Sequence, residues 1–120
     1  MSEFLEQVAV WCTDARSIDE EVLQVPTTSD HPAILSYSVD RLWFQQRVDA
    51  PDATTHAAAI AACRLANLAR RGILNARWRG EFIEVTGSLQ VEDCTREAVM
   101  WMFDEAATLA DLVARQLDPS

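Results

Sequence analysis

At 120 residues, with 49% hydrophobic and 24% charged, the chain has the size and make-up of one globular domain and lies outside the composition of disordered chains. Its net charge of −9, with ten arginines and no lysine, argues against nonspecific attachment to nucleic acid or anionic lipid. No run approaches the roughly 18 apolar residues of a membrane span. Met1 to Ala15 carries Glu3 and Glu6 in place of a basic leader. A cytoplasmic location, without membrane or nucleic-acid partners, is the expectation.

Ser2 can cap a first helix whose apolar positions Phe4, Leu5, Val8, Trp11, Cys12 and Ala15 recur at spacings of three and four, ending near Arg16. The acidic cluster Asp19, Glu20 and Glu21 precedes a short edge strand, Val22 to Val25, closed by Pro26. Thr27 to Pro32 is loop by composition. Ala33 to Val39 then alternates Leu35, Tyr37 and Val39 against Ser36 and Ser38. A tight connection at Asp40 and Arg41 makes a hairpin with Leu42 to Val48, where Leu42, Phe44 and Val48 share one face and Trp43, Gln45 and Arg47 the other. Thr54 or Thr55 can cap a second helix running to about Arg71 and stopped by Gly72. Seven alanines between Ala57 and Ala69 let it lie flat on the sheet, with Ile60, Leu65 and Leu68 supplying its apolar volume. Ile73 to Arg79 and Glu81 to Val91 read as two more strands joined at Gly80, the second strongly alternating. Thr95 caps a last helix to about Leu117, with Glu97 in its first turn. The order α-β-β-β-α-β-β-α implies a single α+β domain, residues 1–120, with helices packed on an antiparallel sheet of about five strands.

The chemistry-bearing residues do not assemble into a recognisable catalytic, cofactor or metal pattern. Cys12, Cys63 and Cys94 are an odd number at wide spacings, which suits neither a disulfide framework nor a zinc site. Cys12 and Cys63 sit among apolar residues and read as buried thiols. Cys94 precedes a helix start, where a thiol can become more acidic, but lacks a neighbouring base. His31 lies in a loop beside Pro32. His56 opens the alanine-rich helix two turns before Cys63, which puts about 10 Å between them along the axis. Gly72, Gly80 and Gly87 are accounted for by a helix stop, a turn and a strand position, so no phosphate-cradling loop is present. Asp14 and Asp19 to Glu21 lack the spacing of a calcium loop. Trp43, Arg47, Arg77, Trp78 and Arg79 are the only basic and aromatic residues placed to suggest a nucleic-acid sheet, and the acidic total opposes it.

Two features stand out against this background. Arg64, Arg70, Arg71, Arg77 and Arg79 fall in a 16-residue window without an acid, which reads either as a solvated face or as the seat of an acidic partner segment. In the last helix Ala98 to Phe103 are six consecutive apolar residues, more than one face can bury. Val99, Met102, Ala106, Leu109 and Val113 form the stripe suited to the core, leaving Trp101 and Leu112 on another face. Trp43, and Trp78 if it lies opposite the core, would present an aromatic on the polar side of the sheet.

The stretch LANLARRGILNARWRGEFIEVTGSLQVEDCTREAV holds a helix containing Asn67, a strand pair turning at Gly80, an alternating run to Val91, and Thr95 and Glu97 opening an amphipathic helix. In that order of elements the chain resembles the YbjN family, whose fold is shared with the class I chaperones of type III secretion. The resemblance implies a small acidic protein, often a homodimer, acting as a secretion chaperone or regulator without enzyme activity or cofactor. The chain departs from the secretion chaperones in its short N-terminal region and in Pro26, where a longer first strand is usual. The resulting expectation is a homodimeric, non-enzymatic protein-binding domain, with Trp43, Trp101 and Leu112 as apolar contacts and Arg77 and Arg79 as rim charges. The alternative is a small-molecule-binding regulator or small enzyme with a pocket between the sheet and the last helix, using Arg47 or Arg77 for an anionic ligand.

Overall fold

A computed structural model describes residues 2–118. The elements run α1 (Glu3–Trp11), β1 (Arg16–Asp19), β2 (Val22–Val25), β3 (Ala33–Ser38), β4 (Arg41–Val48), α2 (His56–Ala69), β5 (Leu74–Trp78), β6 (Ile83–Gln90) and α3 (Arg96–Leu117). The six strands form one antiparallel sheet in the order β1-β2-β3-β4-β6-β5. Ser2, Thr55 and Thr95 each accept from a backbone N–H of the first turn of their helix, so the caps fall where hydroxyl chemistry places them.

Register fixes which side of the sheet is dry. Leu23, Leu35, Leu42 and Phe44 face the same way as Leu74, Ala76, Ile83 and Val85, and all are buried. Onto that face pack Leu5 and Val8 of α1, Ala62, Cys63 and Ala66 of α2, and the α3 stripe Val99, Met102, Ala106, Leu109 and Val113. Phe44 and Phe103 meet edge-on with centroids 5.3 Å apart, and Phe4 tilts against Tyr37. The three helices therefore share one side, and the other face of the sheet carries none.

Several expectations are corrected. The expected antiparallel sheet of about five strands has six among the described residues, because Arg16–Asp19 pairs with β2. All four residues of β1 are exposed, so no alternation marked it, and its register is irregular between Ser17 and Asp19. The first helix stops at Trp11 rather than near Arg16, since the chain turns through Asp14 at φ 59°. Val39 is not a strand residue. It takes φ 53° beside Asp40 at φ 57° in the two-residue turn between β3 and β4, and is 85% exposed.

The largest correction concerns α2. Its buried face is Ala59, Ala62, Cys63 and Ala66, spaced three, four and seven, while Ile60, Leu65 and Leu68 are 42%, 51% and 62% exposed. Small residues bring the helix axis close, and a polar contact fixes its height. Asn67 Nδ2 donates to the Ala76 carbonyl oxygen at 3.0 Å, and its Oδ1 accepts from the Ala76 N–H at 2.7 Å. The side chain thus pairs with the outward backbone of β5, the edge strand, as a neighbouring strand would. Arg70, at the end of α2, makes an ion pair with Glu105, a residue of α3 that is only 9% exposed. Gly87 lies opposite both Phe44 and Leu74, and a Cβ there would stand 2.3 Å from the Ile73 carbonyl oxygen. Close approach explains this glycine.

Replacing Asn67 with alanine leaves one donor and one acceptor of β5 unmet, each worth about 1–3 kcal/mol when shielded from water. Better helix propensity returns only about half a kcal/mol. Urea unfolding of Asn67→Ala should show a loss of about 2–3 kcal/mol, and an unchanged midpoint would contradict the anchoring role.

Candidate protein-binding faces

The uncovered face of the sheet is built by alternation. Trp43, Gln45 and Arg47 of β4, Glu84, Thr86 and Ser88 of β6, and Asn75 and Arg77 of β5 all point away from the helices. Its centre is Glu84, only 7% exposed although no helix lies over it. Arg79 donates to Glu84 Oε1 from Nε and Nη2 at 3.1 and 2.8 Å, and Gln45 Nε2 donates to Oε2 at 2.6 Å. Arg47 and Arg77 are the cross-strand neighbours of Glu84 on either side. The Arg47 guanidinium stacks 4.5 Å from the Phe82 ring centroid and reaches Asp49 at 3.3 Å. Toward the other end, Arg41 Nε donates to Ser88 Oγ at 2.8 Å with its guanidinium over Trp43. Trp43 stays 42% exposed, its Nε1 donating to the Ser38 carbonyl oxygen at 3.2 Å.

A second, apolar face belongs to the helices. Ile60, Leu65 and Leu68 stand out from α2, and Trp101 of α3, 43% exposed, reaches over Gly72 just beyond the end of α2. Leu112 is partly buried and packed against the core, so of the two surplus residues of α3 Trp101 is the more exposed.

Between α3 and the β2–β3 loop lies a groove of about 750 Å³. Val25, Met100 and Phe103 form apolar lining, and Asp30, Asp49 and Asp104 are at its polar margins. Its loop wall is held by Gln46, 6% exposed, whose Nε2 is shared among Thr27 Oγ1, Ser29 Oγ and the His31 carbonyl oxygen at 3.0–3.1 Å. His31 Nε2 and Asp49 Oδ2 lie 2.8 Å apart, and this hydrogen bond holds the Asp49 carboxyl below its usual range. Arg47 lines the groove, whereas Arg77 does not.

No protein-family model matches the sequence, and no curated protein is recognisably similar to it. Solved structures are more informative. YbjN of E. coli, described as a candidate transcription regulator, matches with a TM-score of 0.64 at 13% identity over 92% of this chain and 89% of its own. A chain of the ExsC–ExsE complex gives 0.70 at 15% identity over 98% and 90%. The Yersinia pestis type III secretion chaperone SycH, solved with a fragment of YscM2, gives 0.56 at 13% identity over 98% of each chain. The chain has the YbjN and secretion-chaperone fold. At these identities the likeness concerns the fold, so the site residues stand on the geometry of this chain.

Within that chaperone-like fold the arginine window divides. Arg70 binds Glu105, Arg79 binds Glu84, and Arg77 lies on the open sheet face. Trp78 lies on the helix side, its Nε1 donating to His56 Nδ1 at 2.7 Å, so it adds nothing to the open face. Sequence reasoning missed Glu84, Arg41 and the outward turn of Ile60, Leu65 and Leu68. A glutamate on the polar side of an alternating strand carries no mark of burial. Among the described residues, no group of three or more His, Cys, Asp and Glu could hold a metal ion, and no helix is long and apolar enough to cross a membrane.

Burial pushes the Cys12 thiol up to about 11 and raises Cys63 as well. Cys94 is also raised, by burial and then by the charge of Asp93, against the acidification expected at a helix start. A thiol reagent at pH 8 should therefore modify Cys94 slowly and leave Cys12 and Cys63 intact until the protein is unfolded, as mass spectrometry of the labelled protein would show. Fast labelling of Cys12 in the native state would contradict its placement.

Proposed function

We propose that this chain is a non-enzymatic protein-binding domain, a chaperone-like or regulatory adaptor that acts as a cytoplasmic homodimer. The observation that carries the reading is the open sheet face, where a half-exposed tryptophan and several arginines lie on the side no helix covers. The likeness in fold to chaperones solved together with their effectors supports it. Trp43 is the apolar anchor for the partner, with Arg77 and Arg79 at the rim. Aromatic anchors of this kind typically carry about 2 kcal/mol or more of binding energy. Ile60, Leu65, Leu68 and Trp101 form the face for the second copy, since large apolar side chains turned outward from a helix are what an association surface requires.

The test joins two measurements. Light scattering should give twice the 13.4 kDa chain mass for the wild type, and the chain mass for Leu65→Asp/Leu68→Asp with its helical circular dichroism kept. A stoichiometric partner purified on the tagged protein should bind Trp43→Ala about 30-fold more weakly in calorimetry. A wild type that is monomeric at all concentrations removes the homodimer, and a partner indifferent to Trp43 removes the assigned face.

The groove beneath α3 favours a second reading, a regulator that senses a small molecule. Its volume of about 750 Å³ falls in the range of ligand pockets, and Arg47 borders it with its guanidinium held by Asp49 and against Phe82. A metabolite that raises the melting temperature of the wild type but not of Ala107→Trp, which fills the groove from an exposed helix position, would establish this reading. A screen without any such metabolite would end it.

A further inference from the structure

The open sheet face is charged against the rest of the molecule. Across β4, β6 and β5 it carries Arg41, Arg47 and Arg77, joined by Arg79, around Glu84 and with Asp49 beside Arg47, on a chain whose net charge is −9. Two of these arginines are already committed, Arg79 to Glu84 and Arg47 to Asp49 and Phe82. Among the described residues, neither Arg41 nor Arg77 makes an ion pair.

We propose that this face takes an extended acidic segment of the partner protein, with its carboxylates at Arg41 and Arg77 and an apolar side chain on Trp43. The inference rests on the reading of the chain as a protein-binding domain and names the chemistry of what is bound. Spacing decides between a segment and a small anion. Arg77 lies two strands from β4, about 10 Å across the sheet, and Arg41 lies six residues along β4 from Arg47, about 20 Å. No single carboxylate or phosphate spans both seats, whereas six or seven extended residues do. Arg41 has spent only Nε on Ser88, so its terminal nitrogens stay available for a carboxylate. Trp43 lies between these seats and offers a flat apolar surface of the kind that anchors interfaces.

Nucleic acid fits less well. An oligonucleotide of that length brings a negative charge at every residue toward a chain that is itself acidic, with a screening length of about 8 Å at physiological salt. A protein segment with two or three carboxylates meets the same arginines with much less repulsion. The open face also offers one exposed aromatic ring, where single-stranded binders stack successive bases on several.

The experiment selects random 12-residue peptides displayed on phage against the folded full-length protein, then measures the best synthetic peptide by fluorescence anisotropy. The selected sequences should be enriched in Asp and Glu beside an aromatic or aliphatic residue. Affinity should fall about tenfold or more in Arg41→Gln/Arg77→Gln, and fall again as salt is raised. Amide replacement of the peptide's carboxylates should reproduce the loss. An unchanged melting temperature shows that the double variant is folded. Peptides without acidic enrichment, or a peptide that binds the double variant equally well, overturn the acidic segment and leave the protein-binding reading intact. A twelve-residue thymidine oligonucleotide that binds more tightly than any selected peptide overturns it in favour of nucleic acid. No selected peptide, together with no partner of the purified protein, removes both.

Discussion

The position of α2 depends on one side-chain amide. A helix whose buried residues are three alanines and a cysteine has little apolar volume with which to hold its place, and Asn67 supplies what is missing by pairing with both backbone groups of Ala76. That pair holds α2 along the edge of the sheet and puts Gly72 under Trp101 and His56 against Trp78. It also turns Ile60, Leu65 and Leu68 outward, because the face that carries Asn67 must face β5. The Arg70–Glu105 ion pair then ties the far end of the helix to α3, and burial of Glu105 is tolerable because its charge is matched.

Two unlike surfaces result from this packing. With α1, α2 and α3 gathered on one side, the opposite face of the sheet must be stable in water, and it achieves this with hydrogen-bonded polar residues around a nearly buried glutamate. Glu84 accepts from the Arg79 guanidinium and the Gln45 amide, so its desolvation is offset locally. The helical side is apolar beyond what its own core requires. One surface is thus suited to charge and shape recognition and the other to burial of area, and the same chain presents both without overlap between the residues that make them.

Much of the architecture was legible because it follows from period and cap chemistry. The α3 stripe from Val99 to Val113 is buried as its spacing implies, β4 alternates as read, and the three hydroxyl caps start their helices, whereas burial along β6 does not alternate, since Glu84 is buried like its neighbours Ile83 and Val85. What escaped has a physical reason in each case. Arg16–Asp19 buries nothing, so backbone pairing alone makes it a strand. Val39 is β-branched and sits at positive φ, against local preference, because the two-residue hairpin requires that geometry. In α2, side-chain volume pointed one way and the close fit of alanines beside Asn67 pointed the other, and the close fit prevailed. Of the candidate contact residues, Trp43, Trp101, Arg77 and Arg79 are exposed as the sequence pattern implies, while Leu112 is partly buried against the core and the burial of Glu84 could only be found from the structure.

The two ends of the sheet are not equivalent. At β5 the middle of the outer edge is occupied by Asn67, whereas at β1 the outer backbone has no such cover from a helix side chain among the described hydrogen bonds. A sheet with two open ends can polymerise, each copy handing a fresh template to the next. With one end sealed, strand-to-strand growth between copies can use β1 alone and is finished after a single pairing event. A single asparagine on a neighbouring helix therefore works against filament growth from the β5 edge, by occupying the backbone groups of Ala76 that a strand of another copy would need.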